Sequence, residues 1–273
     1  MTSICSTPVY ELKELNNLFI EMTSKNCNQR CKSCYIDFPL TKNIKDFISA
    51  ETVKEALNDT TKENLRCIYL TGAEPMMHND FNSILRLCLK RCDVCICTNG
   101  SFLNEKKVRF LSKVENEGNN QIFFRLSLAH FNEIDNDNAK YRGNFRQTIF
   151  ALKTLSFYNF NSVLAIQNFY GLPSNLIEKM FMKIFNENKI SNTELRINPS
   201  FPLSEQNSGI SAKTDCMYGR CLGTKGVYSC PFLSNDFRGR VGASFKNYSK
   251  SFRAETDFCA LCSQKNDFIS SLV

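Results

Sequence analysis

Glycine and proline are scarce in this sequence, whose 273 residues include 11 glycines and 7 prolines. Hydrophobic residues make up 42% of the chain and charged residues 22%. Such a composition excludes a collagen-like, disordered or low-complexity protein and is typical of a globular one. A chain of this length can bury a sizeable core, either as one larger domain with an appendage or as two modest domains.

The sequence also lacks any long apolar stretch. No segment reaches the roughly 18 apolar residues that a membrane-spanning helix requires. Residues 1–17 contain no apolar segment of the length found in signal peptides. These absences predict a cytoplasmic protein that has no membrane partner.

Basic residues are numerous but nowhere concentrated. The formal net charge is +7 and the pI is about 8.7, which would suit an anionic cofactor or an acidic substrate. The lysines and arginines are scattered over predicted helix faces, and no run of five or more of them could follow a phosphate backbone. The charge pattern therefore does not favour a nucleic acid partner.

Strand-like and helix-like segments alternate along the first part of the chain. The predicted strands lie at residues 17–23, 66–70, 93–98, 122–128, 162–169 and 194–198, and the predicted helices at residues 50–59, 81–91, 104–114, 144–157 and 173–188. This alternation indicates an α/β fold with a parallel sheet and outer helices. The period does not say whether the sheet closes into a barrel or stays open.

The composition changes near residue 205. The segment that follows is polar and rich in turn-forming residues, and beyond it comes a cysteine-dense tail with a hairpin-like piece at residues 221–233. We therefore expect a core domain over residues 1–205 and a small cysteine-rich C-terminal domain over residues 206–273.

Cysteine is the residue type that the chain has in excess. The sequence contains 14 cysteines without a secretory signal, which argues against a disulfide framework and for metal ligands together with ordinary thiols. The spacing Cys-x3-Cys-x2-Cys occurs twice, as CNQRCKSC at residues 27–34 and as CLKRCDVC at residues 88–95.

The second copy is predicted to be core packing. Cys88 and Cys92 share one apolar helix face with Phe81, Ile84 and Leu85. Cys95 then lies in a strand that a parallel sheet buries on both faces. A free cysteine in such a position behaves as a small hydrophobic residue.

The first copy is predicted to bind metal. It follows the first strand directly and lies among polar residues, and loops at the carboxyl ends of parallel strands carry the reactive groups of such folds. Three thiolates from one short loop can bind three irons of a 4Fe-4S cubane and leave the fourth iron open. A zinc site would need a fourth nearby ligand, and the next cysteine along the chain is Cys67.

Three further motifs follow the next predicted strands. TGAEP occupies residues 71–75, CTNG residues 97–100 and SLAH residues 127–130. Together and in this order after CNQRCKSC, they resemble the radical S-adenosylmethionine (SAM) superfamily. The resemblance implies a partial (β/α)6 TIM-like barrel, with a 4Fe-4S cluster and SAM as cofactors.

The resemblance also implies which residues bind the cofactors. Cys27, Cys31 and Cys34 would bind the first cluster. The backbone at Gly72 and Ala73 would approach SAM, the Glu74 carboxylate would accept hydrogen bonds from its amino group, and Asn99 would lie near the ribose. Ser127 would bond the ribose or the carboxylate, and the aromatic Tyr35 lies near the position whose backbone meets the adenine in this family.

The cysteine-rich tail resembles the SPASM/twitch auxiliary-cluster domain. It offers five thiols, Cys216, Cys221, Cys230, Cys259 and Cys262, of which an auxiliary 4Fe-4S cluster needs four. The expected ligands are Cys216, Cys230, Cys259 and Cys262, with Cys221 as a packing thiol in the hairpin. A structural zinc site built from the same cysteines is the alternative.

The resemblance implies reductive cleavage of SAM to a 5′-deoxyadenosyl radical, which abstracts hydrogen from a substrate. The electron would come from an external donor of flavodoxin or ferredoxin type. The chain has no room for the N-terminal peptide-recognition domain of many relatives, which favours a small metabolite or a short peptide undergoing oxidation, epimerisation or cross-linking. An RNA-modifying enzyme and a non-catalytic iron-sulfur or zinc scaffold are the alternatives.

Several side chains near the expected rim of the sheet could touch substrate. They are Tyr35, His78, His130, Glu133 and Asp135. Each is as readily explained as a solvated loop residue, so the sequence assigns none of them a catalytic role.

Overall fold

The computed structural model describes residues 9–32, 34, 46–199, 214–234, 236–254 and 259. The strands are β1 (Val9–Glu11), β2 (Asn17–Thr23), β3 (Cys67–Gly72), β4 (Asp93–Cys97), β5 (Ile122–Leu128), β6 (Ser162–Asn168), β7 (Thr193–Pro199), β8 (Gly219–Gly223), β9 (Gly226–Tyr228), β10 (Arg240–Ser244), β11 (Asn247–Tyr248) and β12 (Ser251–Arg253). The helices are α1 (Ala50–Asp59), α2 (Phe81–Leu89), α3 (Glu105–Glu115), α4 (Glu133–Ala139), α5 (Asn144–Phe157) and α6 (Ser174–Asn188).

The central sheet has ten strands among the described residues, in the order β11-β10-β9-β8-β2-β3-β4-β5-β6-β7. Strands β2 to β7 are all parallel to their neighbours. The prediction of an α/β fold with a parallel sheet is confirmed. Because β7 and β11 are the two edges of the described sheet, it is open rather than closed, as a partial barrel requires.

The C-terminal segment extends this sheet. Strand β8 pairs in parallel with β2, and Asn17 faces Gly219 while Ile20 faces Leu222. The predicted hairpin is confirmed, since β8 and β9 are antiparallel and turn back on each other. Strands β1 and β12 form a separate antiparallel pair. The sequence did not predict that β8 lies beside the first parallel strand.

Capping side chains and apolar faces position the helices α1, α2 and α3. The Ser49 side chain accepts a hydrogen bond from the Thr52 amide at the start of α1, and Asn104 caps α3 in the same way. In α2, the buried residues are Phe81, Ile84, Leu85 and Cys88. Cys88 is fully buried and Cys92 and Cys95 are 6% exposed, so the prediction that the second cysteine copy packs in the interior is confirmed.

The two faces of the sheet differ in what covers them. The face that meets the helices carries aliphatic residues such as Ile20, Leu70 and Ile96, which belong to the main core. The opposite face, here called the inner face, carries a smaller buried cluster of Phe19, Tyr69, Cys95, Cys221 and Tyr228. Side chains alternate along a strand, so a residue two positions after an inner-face residue lies on the inner face as well. Near the ends of β2 to β5, these positions carry polar residues.

No helix within the described residues is long and apolar enough to cross a membrane.

Candidate functional site

The first cysteine motif forms a loop directly after β2. Thr23, the last residue of β2, turns the chain by accepting a hydrogen bond of 3.1 Å from the Asn26 amide through its side-chain Oγ1. Within the loop the Cys34 amide donates to the Cys31 carbonyl at 3.2 Å. Cys27, Cys31 and Cys34 are all partly exposed, in contrast to the buried cysteines of the second copy. The three thiols are therefore accessible at the end of the sheet.

A buried glutamine anchors this loop to the helices. Gln29 is only 2% exposed, and its Nε2 donates to Gln147 Oε1 on α5 at 3.0 Å. Its Oε1 accepts from Asn144 Nδ2 at 3.1 Å, and Asn144 Oδ1 in turn accepts from Asn136 Nδ2 at 3.1 Å. The Cys31 thiol also lies 3.8 Å from Gln29 Oε1. This network fixes the middle of the cysteine loop, and sequence reasoning missed it.

Two backbone hydrogen bonds join the TGAEP segment to the end of β2 and the same loop. The Ala73 amide donates to the Thr23 carbonyl at 2.8 Å, and the Glu74 amide donates to the Asn26 carbonyl at 3.0 Å. Gly72 has a φ of +117°, and a Cβ at this position would lie 2.3 Å from the Thr23 oxygen. Only glycine fits there, because the end of β3 touches the backbone of β2.

Glu74 joins the ends of β3 and β4. Its side chain is fully buried and its carboxylate accepts hydrogen bonds from Thr98 Oγ1 at 2.7 Å, the Asn99 amide at 2.8 Å and the Met76 amide at 3.1 Å. Burial raises the pKa of Glu74 to about 7, although these three hydrogen bonds act in the opposite direction. The carboxylate therefore holds the TGAEP and TNG segments together at the rim.

Asn99 links this carboxylate to the first cysteine. The Asn99 backbone amide donates a hydrogen bond to Glu74. The Asn99 side-chain Nδ2 lies 3.6 Å from Cys27 Sγ and 2.9 Å from Asn28 Oδ1. The TNG segment thus contacts the cysteine loop through a side chain and the TGAEP segment through the backbone. Both predicted residues, Glu74 and Asn99, lie at one place with Cys27.

Ser127 lies near the end of β5, the strand next to the one that leads to Asn99. Its hydroxyl accepts a hydrogen bond of 3.0 Å from Lys140 Nζ, and the Lys140 carbonyl accepts one of 3.3 Å from the Lys32 amide. Burial lowers the pKa of Lys140, while the nearby thiols of Cys31 and Cys34 raise it. Lys140 therefore lies near two of the three thiols, and the sequence did not single it out.

The match to known proteins covers this arrangement. The sequence model of the Radical SAM superfamily matches residues 22–183, a span that begins inside β2, ends inside α6 and contains the cysteine loop, Glu74, Asn99 and Ser127. The chain belongs to the radical SAM superfamily. Membership of this superfamily implies a 4Fe-4S cluster and SAM as cofactors.

Solved structures of radical SAM enzymes share the fold. SuiB of Streptococcus suis bound to S-adenosylmethionine aligns with a TM-score of 0.63 at 14% identity, over 86% of this chain and 64% of SuiB. Native anSMEcpe with bound AdoMet aligns with a TM-score of 0.62 at 15% identity, over 85% of this chain and 78% of that one. This chain therefore spans under two thirds of SuiB. No curated protein sequence matches it.

The donor set of the cysteine loop fits the radical SAM cluster. Burial raises the pKa of the Cys27 thiol to about 11 and also raises that of Cys31, against which the Lys140 charge acts. A bound metal deprotonates a coordinating thiol outright, so these values describe the metal-free loop. Within the described residues, no three Cys, His, Asp or Glu side chains converge as the ligands of one ion do. A cubane does not require this, because each cysteine bonds a different iron.

The C-terminal cysteines fall into two environments. Cys221 is fully buried in the inner-face cluster, whereas Cys216 and Cys230 are partly exposed and pack against that cluster. The thiols of Cys216 and Cys230 both raise the pKa of the buried Arg220 guanidinium against the effect of its burial.

Cys259 belongs with the partly exposed group. The thiols of Cys216 and Cys259 both raise the pKa of Tyr10, which burial also raises. Cys216, Cys230 and Cys259 therefore lie around one region, and Cys221 lies deeper in the sheet. Cys262 and Tyr35, two further predicted site residues, lie outside the described residues.

Three of the side chains considered as substrate contacts form hydrogen bonds or an ion pair within the protein. His78 Nε2 lies 2.6 Å from the Ile48 carbonyl, and its Nδ1 accepts from the Asp80 amide at 3.0 Å. His130 Nδ1 accepts from the Asn132 amide at 2.8 Å. Glu133 forms a 2.7 Å ion pair with Arg146. Each of these three side chains therefore has a partner within the chain, and His78 and His130 are buried rather than solvated.

Proposed function

We propose that this protein reductively cleaves SAM to a 5′-deoxyadenosyl radical and uses that radical to abstract hydrogen from a small metabolite or a short peptide. One observation carries the proposal. The loop of Cys27, Cys31 and Cys34 is linked to the ends of three further strands, through Glu74, through Asn99, and through Lys140, which binds Ser127. A cofactor held by the loop would thus be surrounded by polar groups from four strand ends.

The chain's own residues would bind and orient the cofactors. Cys27, Cys31 and Cys34 would hold the 4Fe-4S cluster, whose open iron supplies the reductive cleavage of SAM when both are bound. Gly72, Ala73, Glu74, Asn99, Ser127 and Tyr35 would contact SAM. Because the Glu74 carboxylate already accepts three hydrogen bonds, its main contribution would be to hold residues 72–74 and Asn99 in register for the ligand.

The C-terminal cysteines would hold an auxiliary 4Fe-4S cluster of SPASM/twitch type. The position of Cys216, Cys230 and Cys259 around one region supports them as ligands, with Cys262 as the fourth. The full burial of Cys221 supports its role as a packing thiol. Residues 206–273 would then be the auxiliary-cluster unit and residues 1–205 the core unit, with electrons supplied by a flavodoxin-type or ferredoxin-type donor.

The proposed substrate class rests on the hydrogen-abstraction chemistry and on what a protein of similar fold binds. One SuiB structure holds the precursor peptide SuiA, so this fold accommodates a peptide in that protein. For this chain, a short peptide or a small metabolite would bind on the inner face of the sheet, beside the SAM-binding rim. Oxidation, epimerisation or cross-linking would follow, which makes an oxidoreductase-type reaction the proposed subclass.

Anaerobic reconstitution with iron and sulfide tests the proposal. We expect about eight irons per chain, for two cubanes, and formation of 5′-deoxyadenosine from SAM when a strong reductant is added. Cys27→Ala should abolish SAM cleavage. Cys88→Ala is the matched control, because it changes the first cysteine of the second copy, and it should leave cleavage intact.

Two results would overturn the proposal. The absence of 5′-deoxyadenosine from the fully iron-loaded wild-type protein would make the chain a non-catalytic scaffold. About four irons together with one bound zinc would replace the auxiliary cluster by a structural zinc site.

A further inference from the structure

Arg125 lies on the inner face of β5. Along this strand, Phe124, Leu126 and Leu128 belong to the core that meets the helices, so Arg125 and Ser127 belong to the opposite face. Arg125 is directly paired across the sheet with Cys97 of β4. Its side chain is 8% exposed, which is unusual for an arginine.

Among the described residues, part of the Arg125 guanidinium has no hydrogen-bond partner. Its Nη1 atom is inaccessible to solvent and has no hydrogen bond. Within the part of the chain that the structure describes, no carboxylate forms an ion pair or hydrogen bond with Arg125. Burial lowers its pKa, and the positive charge of Arg196 lowers it further. Arg196 is itself paired with Glu194 at 2.7 Å, whereas Arg125 has no carboxylate partner among the described residues.

Such an arrangement is costly for the free protein. A charge removed from water destabilises the fold unless an opposite charge or full hydrogen bonding compensates for it. Lys140 adds to the cost, because its Nζ reaches the same face, where it donates a hydrogen bond of 3.0 Å to Ser127. An anionic group supplied from outside the chain would balance the Arg125 charge at the part of the side chain that remains exposed.

The Cys97 thiol is the nearest candidate for an internal counter-ion. Its pKa is lowered mainly by a hydrogen bond with Cys95, and the Arg125 charge acts in the same direction. However, no hydrogen bond joins the Cys97 sulfur to the guanidinium, and Nη1 stays without a partner. The Cys97 thiol can therefore moderate the charge of Arg125, but it does not form hydrogen bonds with the planar set of N–H donors of the guanidinium.

We infer that Arg125 binds an anionic group of the substrate, a carboxylate or a phosphate, on the inner face of the sheet. The inference rests on the proposed function. Ser127 lies two residues further along β5 on the same face, so Arg125 lies roughly 7 Å below the rim. An anion held there would direct the rest of the substrate towards the rim where SAM would bind. Guanidinium suits this role because it pairs with carboxylate and phosphate through two parallel hydrogen bonds.

The test measures stabilisation by small anions. The holoenzyme is reconstituted anaerobically, saturated with SAM so that the SAM site is filled, and melted without reductant in the presence of inorganic phosphate or succinate. Chloride at equal ionic strength is the reference. We expect the wild type to melt roughly 2–4 °C higher when the effective anion is present at about ten times its dissociation constant. A response to phosphate alone or to succinate alone identifies the chemical source of the anionic group.

The variant Arg125→Met should lose this response to either anion, because it replaces the guanidinium by a neutral side chain of similar length. Arg125→Gln is the second neutral variant if the first does not fold. Arg109→Met, which removes an exposed arginine on α3, should respond as the wild type does. The inference is overturned if the wild type shows no anion-dependent rise, or if both neutral variants keep it.

Failure of this inference can be told apart from failure of the proposed function. If the wild-type protein forms 5′-deoxyadenosine and yet shows no Arg125-dependent response to phosphate or succinate, the proposed function stands and the anion site is wrong. If the Arg125-dependent response is present and SAM is not cleaved, the anion site stands and the proposed chemistry is wrong.

Discussion

Asn144 on α5 donates a hydrogen bond of 3.1 Å to Gln29 in the cysteine loop, across 115 positions of the sequence. The bond is buried, since Asn144 is 1% exposed and Gln29 is 2% exposed. Helix α5 thereby fixes the loop that carries the three proposed cluster ligands. The geometry of the cysteine loop depends on this distant contact as well as on the cysteine spacing.

Replacing Gln29 should therefore weaken both the fold and the cluster site. Gln29→Ala leaves the Nδ2 group of Asn144 buried without its acceptor, and we expect a loss of about 1–3 kcal/mol in the free energy of unfolding. Urea unfolding measures this loss, and iron analysis after gel filtration should show weaker retention of iron. Lys32→Ala, an exposed change in the same loop, should alter stability by less than about 0.5 kcal/mol. Equal effects of the two changes would contradict the anchoring role of Gln29.

Gly72 should tolerate no side chain. The positive φ of +117° and the 2.3 Å approach of a Cβ to the Thr23 oxygen predict that Gly72→Ala destabilises the protein by at least about 2 kcal/mol. Gly118→Ala is the control, because a Cβ at Gly118 meets nothing within 4 Å. Thermal melting of both variants checks the prediction. It fails if Gly72→Ala melts at the temperature of the control.

Glu74 should make stability depend on pH in a defined window. Its pKa of about 7 in the folded chain exceeds the ordinary value of 4.5, so the folded state holds the proton more tightly than the unfolded state does. The contribution of this group is therefore fully present below pH 4.5 and is lost as the pH rises towards 7. In iron-free protein, the stability of the wild type relative to Glu74→Gln should fall by on the order of 1 kcal/mol per pH unit in this window. If the free energies of unfolding of the wild type and Glu74→Gln changed with pH in parallel, the pKa of Glu74 would not be raised.

The tail cysteines should separate into two groups by iron content. Cys216→Ala and Cys230→Ala should each lower the iron content from about eight to about four per chain, because each removes an auxiliary-cluster ligand. Cys221→Ala should keep about eight irons, since the Cys221 thiol is fully buried in the inner-face cluster. Loss of iron from Cys221→Ala, with normal retention in Cys216→Ala, would reverse the assignment.

The sequence predicted the parallel core because each element carries its own periodicity. The predicted segments 17–23 and 144–157 coincide with β2 and α5. Helix α4 was missed because its seven residues, EIDNDNA, contain one large apolar residue, Ile134, which is itself 70% exposed. The helix is instead fixed by the Asn132 cap and by the buried Asn136, and neither produces a hydrophobic period.

The candidate site was predictable only in part. Cysteine spacing and the strand-end motifs identified the residues around the cysteine loop, since these signals are local in the sequence. Gln29, Lys140 and Arg125 gave no such signal. A glutamine, a lysine or an arginine is ordinarily a surface residue. Gln29 and Lys140 are tied to the site by hydrogen bonds with Asn144 and Ser127 on other elements, and Arg125 is distinguished by its burial.

The pairing of β8 with β2 has a consequence for synthesis of the chain. β2 is made first among the parallel strands, and β3 follows within about fifty residues, but the other neighbour comes from residues 219–223. Until those residues leave the ribosome, one edge of β2 presents unpaired backbone amides and carbonyls that can pair with another chain. The last part of the sheet to be made therefore removes an aggregation-prone edge from the strand that leads into the cysteine loop.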